Sequence, residues 1–172
     1  MKIWFSHGKE SGPWGEKIKR LANIAEAYGH TCDSIDYTDT FDPDLRAARL
    51  LNLLKMKNDN NVLLVGSSMG SYVSLVAAEE FAVKGLFLLA PALFIPGYEV
   101  HNYCPSCPKI EFVHGWSDEV ISPDHSIRFA RDADCTLHLI SGDHRLNTSL
   151  EQVEEIFKGF LAGFQPRDKK RR

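Results

Sequence analysis

The sequence predicts an α/β fold, a single domain with a mostly parallel central sheet of about six strands and helices on both faces. Three observations predict it. The segments KIWFS, NVLLVG, GLFLLAP and KIEFVHG are short aliphatic runs, the pattern of strands buried on both faces. Between them lie stretches with apolar residues at helical spacing. The two kinds of segment alternate, and alternation of this kind pairs strands in parallel through right-handed crossovers.

The elements follow in chain order. Two weaker strands, TCDSIDY and CTLHLIS, alternate polar with apolar residues, which places them toward the sheet edges. Gly12 and Pro13 open the first helix, with Trp14, Ile18, Leu21, Ala22 and Ala25 on its inner face. Asp42 and Pro43 open the second, whose face is Ala47, Leu50, Leu51 and Leu54. The third starts just after Ser68 and is apolar almost all round (Tyr72, Val73, Leu75, Val76, Ala77), so it is expected to be the most buried. Ser122 and Pro123 start the fourth. A T-x-x-E capping box at Thr148 and Glu151 introduces the last, which carries Leu150, Val153, Phe157, Phe160, Leu161 and Phe164 on one face. Residues 92–108, ALFIPGYEVHNYCPSCP, are the one long irregular stretch.

Composition narrows the function classes. The 172 residues suit one domain, 1–166, followed by a basic tail, 167–172, expected to be disordered. The formal charge is −3; the tail, with five basic residues and one acid, contributes +4 and leaves −7 on the domain, which speaks against nucleic-acid binding. The N-terminus lacks the apolar core of a signal peptide and LFLLAPALFI is too short to span a bilayer. A cytoplasmic protein that engages no membrane is expected. Four cysteines in this length fit reduced thiols.

In open parallel sheets the ligand site lies at the carboxyl ends of the strands. His7 and Gly8 follow the first strand, Ser68 follows NVLLVG, Asp118 follows KIEFVHG, and His144 follows CTLHLIS. A serine, an acid and a histidine, each just past a different strand, are the parts of a nucleophilic triad. Gly66-Ser67-Ser68-Met69-Gly70 also fits G-x-S-x-G, a sharp strand-to-helix turn that lifts the serine hydroxyl from the sheet. The glycines give the turn clearance, because a β-carbon at Gly66 or Gly70 would meet the adjoining strand and helix.

These residues resemble the α/β-hydrolase superfamily, and within it the small, cap-poor bacterial serine esterases. The resemblance rests on SHG after the first strand, GSSMG, HGWSDEVISP and SGDHRL, in the order serine, acid, histidine, and spans nearly the whole chain. It implies that Ser68 attacks a carbonyl, that His144 takes and returns its proton, and that Asp118 orients the imidazole. It further implies an oxyanion hole from the backbone N–H groups of Met69 and Lys9. The usual first hairpin is missing and the cap is very short, so substrate choice stays open.

The expected function is therefore a serine hydrolase acting on a small-molecule ester or thioester, without cofactor. A peptidase or other acyl-transfer use of the triad, and a non-catalytic interaction protein on the same fold, remain alternatives. Leu93, Phe94, Ile95, Tyr98 and Trp116 are candidate pocket walls, Trp116 being equally suited to fill core. Ser67, Ser71 and Asp143 are not expected to serve, Asp143 being a turn former beside His144. His7 is expected to hold the oxyanion loop, and His30, His114, His125 and His138 to be surface or packing residues. His101, Cys104 and Cys107 form H-x-x-C-x-x-C, but no fourth ligand is evident and no metal is expected.

Overall fold

The computed structural model describes residues 1–165, and the basic tail lies outside the described residues. Six parallel strands form one sheet: β1 (Lys2–Ser6), β2 (Thr31–Ile35), β3 (Val62–Ser67), β4 (Gly85–Leu89), β5 (Ile110–Gly115) and β6 (Thr136–Ile140). Their spatial order is β2-β1-β3-β4-β5-β6, so the two polar-alternating strands are the edges. The aliphatic strands occupy the centre, where every residue of β4 is buried.

Five helices cover the sheet: α1 (Glu16–Ala27), α2 (Pro43–Lys57), α3 (Met69–Glu80), α4 (Pro123–Asp132) and α5 (Leu150–Ala162). The chain steps from β1 outward to β2 and then returns past β1 to β3. Right-handed crossovers in opposite directions put their helices on opposite faces. Accordingly α1 and α5 build one core with Ile3, Phe5, Phe87 and Val113. Residues of α2, α3 and α4 build the other with Trp4, Leu64, Leu88 and Phe112. The reversal between β1 and β3 is the topological switch point, where loops diverge and leave a crevice at the carboxyl ends.

Local chemistry sets the helix starts. Asp42 caps α2 by accepting from the N–H groups of Asp44 (2.9 Å) and Leu45 (3.0 Å), with Pro43 as its first residue. Ser122 caps α4 in the same manner through Asp124 N–H at 3.3 Å. Helix α3 is buried along nearly its whole length, as its apolar surface requires.

Three local expectations are corrected. Helix α1 starts at Glu16, after Gly15, and Trp14 precedes it with 41% of its surface exposed, so it takes no part in the inner face. Gly12 and Gly15 disfavour helix on conformational-entropy grounds, and the first acid after them begins it. The capping box at Thr148 does not form, because a 3-10 turn (Asn147–Ser149) makes Ser149 the cap and moves Glu151 one position too early to reach back. On α2 the inner face includes Arg46 as well as Ala47, Leu50 and Leu54, while Leu51 is only half-buried.

Candidate active site

Ser68 sits between β3 and α3 with φ 55° and ψ −119°, in the left-handed region that a residue with a β-carbon rarely adopts. Three bonds hold the turn: Ser68 N–H donates to Leu89 O (2.8 Å), and Ser68 O accepts from Ser71 N–H (2.9 Å) and Ala92 N–H (3.2 Å). A β-carbon on Gly66 would fall 2.5 Å from the α-carbon of Ser71, and one on Gly70 would run into Ser6 O and lie 2.7 Å from His7 O. Both glycines are thus fixed by backbone contact, and the strain at Ser68 is held by the packing of α3 against β1. The N-terminal end of α3 faces the serine, with its unpaired N–H groups and partial positive charge.

His144 and Asp118 come to Ser68 from the ends of β6 and β5. His144 Nε2 is 3.0 Å from Ser68 Oγ, and its Nδ1 is 2.8 Å from Asp118 Oδ2. Asp118 Oδ1 accepts from Val120 N–H (2.9 Å) and Ile121 N–H (2.8 Å). Burial pushes this carboxyl up, but the Ile121 and His144 hydrogen bonds, the proximity of His144 and the Val120 N–H outweigh it, holding its pKa below the ordinary carboxylate value. Asp118 is an anion whose only charged-state partners are donors. That assigns the proton of His144 to Nδ1 and leaves Nε2 free to accept from the serine. Asp143 points elsewhere: its Oδ1 takes Arg145 N–H (3.0 Å) and Leu146 N–H (2.9 Å), closing the turn that presents His144. Ser71 is buried and donates to Leu89 O.

His114 corrects a sequence expectation. It is fully buried, not a surface residue, and is more than packing: Nε2 is 2.9 Å from Asp118 Oδ2 and 3.1 Å from Ile121 O, and Nδ1 is 2.7 Å from Ser126 Oγ. Burial lowers its pKa against the pull of Asp118 and the Ile121 carbonyl, so a neutral ring donates through Nε2 and accepts the Ser126 hydroxyl at Nδ1. Asp118 Oδ2 therefore carries two imidazole N–H groups. The sequence signal is the i,i+4 spacing of His114 and Asp118 across a strand end, a pattern without helical meaning there.

On the other side of the switch point, His7 is fully buried. Its Nδ1 donates to Gly8 O at 2.8 Å and its Nε2 accepts from Tyr37 N–H at 3.0 Å, and burial lowers its pKa, in keeping with a neutral structural ring. Gly8 lies against the elbow, since a β-carbon there would be 3.6 Å from that of Ser68. No acceptor among the described residues engages the N–H of Lys9 or of Met69.

These groups open into a cleft of about 1000 Å³. Its apolar lining comes from Ile18, Met69, Ala92, Ile95, Val120 and Ile121, its charged lining from Lys9, Glu10, Glu16, Lys17, Glu119, Asp143 and Arg145. Of the candidate walls, Ile95 and Tyr98 line it and three do not. Leu93 is fully buried in the core. Phe94, at φ 57°, sets its ring against Tyr103 and His125 with the Arg128 guanidinium 4.1 Å away. Trp116 is 58% exposed, filling neither cleft nor core. The irregular stretch 92–108 is pinned through Tyr72, whose hydroxyl bonds Asp44 and accepts Val100 N–H (3.1 Å).

Among the described residues no three His, Cys, Asp or Glu side chains are grouped so as to hold a metal ion. His101 and Cys104 are exposed, and Cys107 donates to Lys109 O with its thiol pushed up to about 11 by burial.

The model of an uncharacterised protein family, UPF0227, matches residues 2–103, which hold β1 through β4 and the serine turn. The chain belongs to this family. Its structure is similar to a candidate hydrolase of the alpha/beta superfamily from Xanthomonas campestris pv. campestris, at 29% identity and a TM-score of 0.84 over 94% of this chain and 98% of that one. It is also similar to Est1E from Butyrivibrio proteoclasticus (19%, TM-score 0.77, 94% of this chain and 87% of that one). Alpha/beta hydrolase domain-containing protein 10 from mouse gives 18% and 0.74 over 95% and 90%. No curated protein matches. The fold is that of the α/β-hydrolase superfamily, and the likeness supports a hydrolase. No helix among the described residues is long and apolar enough to cross a membrane.

Gly70→Ala should lower stability by about 3 kcal/mol or more, since the clash is with backbone, while Gly12→Ala, with open space around it, should stay within about 0.5 kcal/mol of the parent. Urea unfolding of both variants checks this, and equal effects would contradict the packing account. Lys17 donates to Arg145 O at 2.9 Å, and burial lowers its pKa to about 8 against the pull of Asp143 and Asp118. A free lysine titrates near about 10.4, so between these values the unfolded chain binds more protons and the contribution of Lys17 to stability rises with pH. The buried thiols of Cys32, Cys107 and Cys135, raised to about 11, act oppositely. The stability of the parent relative to Lys17→Met should therefore increase from pH 8 to pH 10, and a constant difference would contradict the shift.

Proposed function

We propose that the protein is a serine hydrolase that cleaves small carboxylic esters or thioesters through an acyl-enzyme. One observation carries this reading: the relay from Asp118 through His144 to Ser68, with contacts of 2.8 and 3.0 Å, ends on a serine held in strained backbone conformation at the head of a helix.

The steps follow from the protonation states. Neutral His144 accepts the Ser68 proton at Nε2 as Oγ bonds to the substrate carbonyl carbon. The imidazolium so formed is stabilised by anionic Asp118, which is fixed by four donors and stays ionised. The carbonyl oxygen becomes an oxyanion beside the N–H groups of Met69 and Lys9. His144 then passes its proton to the departing alcohol or thiol, leaving an ester on Ser68. Water enters, His144 takes its proton, and collapse of the second tetrahedral species releases the acid and restores Ser68.

Ser68→Ala and His144→Ala should each reduce kcat by on the order of 10⁴-fold or more, and the double variant should be little worse, because the groups act as one unit. Losses that multiply would contradict the assignment. Asp118→Asn should be severely impaired and Asp143→Asn should keep most activity, with the opposite result moving the acid to Asp143.

The cleft favours small substrates. Its walls mix charged with apolar groups and the irregular stretch forms no helical lid, so an extended acyl chain finds few surfaces to bury its methylenes. Each buried CH₂ adds about 0.8 kcal/mol, hence kcat/KM should stop rising early in a series of soluble esters from acetate to octanoate. A continuous climb through octanoate would reveal a deep acyl tunnel and overturn the small-substrate reading.

A further inference from the structure

Arg46 is a cation in the wrong place for a solvated side chain. It sits on the inner face of α2 with none of its surface exposed. Burial of an ionised group is costly unless its donors are all satisfied. The acceptors of Arg46 are backbone carbonyls: Thr40 O for Nε (2.8 Å), Gly8 O for Nη1 (3.1 Å), and Lys9 O (3.2 Å) and Tyr37 O (3.0 Å) for Nη2. No carboxylate among the described residues forms an ion pair with it. Its neighbour Arg49 takes that role, gripping Asp39 in two bonds of 2.7 Å.

Two of the four carbonyls belong to the loop that follows β1. Gly8 O is bonded at once by the His7 ring (2.8 Å) and by Arg46 (3.1 Å), so the plane of the Gly8–Lys9 peptide is set from two sides. In a planar trans peptide the C=O and N–H point in opposite directions. With its oxygen held toward Arg46, this peptide turns the Lys9 N–H away from Arg46, while Gly8 packs against Ser68 and both Gly8 and Lys9 line the cleft. A cation on the carbonyl end also polarises the peptide and strengthens its N–H as a donor, an effect enlarged where water is excluded.

We propose that Arg46 is a positioning residue for the oxyanion hole, acting through the Gly8–Lys9 peptide: its guanidinium aims the Lys9 N–H at the developing oxyanion and sharpens it as a donor. This rests on the serine-hydrolase reading above. The ground-state carbonyl carries little charge, so the gain falls on the transition state and on analogues that reproduce it. A staple that merely joined α2 to the loop would leave that distinction untouched.

The test is a cycle of Arg46→Lys and Lys9→Pro, which removes the N–H itself, with Ser68→Ala as control. The readouts are kcat, KM and the affinity for a trifluoromethyl ketone to which Ser68 adds. Lysine keeps the cation and loses the planar fork. Arg46→Lys should fold, lower kcat by on the order of 10- to 100-fold with KM within about threefold, and weaken the ketone by the same factor as kcat, part or all of the loss of one oxyanion donor. In the Lys9→Pro background the same substitution should cost less than about threefold, because the group it acts through is gone. Four outcomes would overturn the proposal: kcat and ketone affinity of Arg46→Lys close to wild type, a loss confined to KM, losses that multiply in the cycle, or an Arg46→Lys protein that does not fold, since the last would make Arg46 a support of the whole structure. Turnover retained in Ser68→Ala would overturn the serine-hydrolase reading and this proposal with it, whereas an inactive Ser68→Ala beside an unaffected Arg46→Lys would overturn this one alone.

Discussion

The contact on which the rest of this structure depends is the approach of α3 to β1 at Gly70. There the first turn of the helix lies directly on the carbonyls of Ser6 and His7, closer than any β-carbon allows. That approach forces Ser68 into the left-handed region and aims the helix end at it. It also places the loop after β1 beside the serine, because Gly8 rests on Ser68. The strand order supplies the opportunity: β1 and β3 are neighbours, with register pairs running from Lys2 with Val62 to Ser6 with Gly66, although the chain visits β2 between them. Ser68 and the neighbouring N–H groups are thus brought together by one backbone contact at the switch point.

Around this contact the site holds many polar side chains away from water, and their order is kept by matching each donor to an acceptor. Asp118 stays anionic because two backbone N–H groups and two imidazoles donate to it. His7 and His114 are neutral because burial disfavours their cations, and each ring then has one donor and one acceptor nitrogen, both used. Unpaired groups at this depth would cost on the order of 1–3 kcal/mol each.

Much of the fold was legible in the sequence because its signals are local and periodic. The six strands, their central and edge placing and the caps at Asp42 and Ser122 each follow from a few adjacent residues. Ser68, Asp118 and His144 were legible because topology alone puts strand-end residues together, and the structure brings those three within hydrogen-bonding reach. What escaped leaves no periodic or motif signal in the sequence. Arg46 touches Gly8 and Lys9 from almost forty positions away, and only its place on the apolar stripe of α2 hints at a buried role. His114 faces inward from a strand that would bury any residue there. The walls Leu93, Phe94 and Trp116 were misjudged because an irregular stretch has no period from which to read which side faces the cleft. Thr148 failed as a cap because a 3-10 turn shifted the start of α5 by one residue, a change no local motif records.

Whether its setting makes Ser68 a nucleophile is read from where a covalent label goes. The protein should be treated with a fluorophosphonate, its intact mass measured, and the modified peptide sequenced by mass spectrometry. The account predicts a single adduct per chain, on Ser68 and not on Ser67 or Ser71, and none after prior denaturation. An unlabelled native protein, or an adduct on another residue, would contradict it.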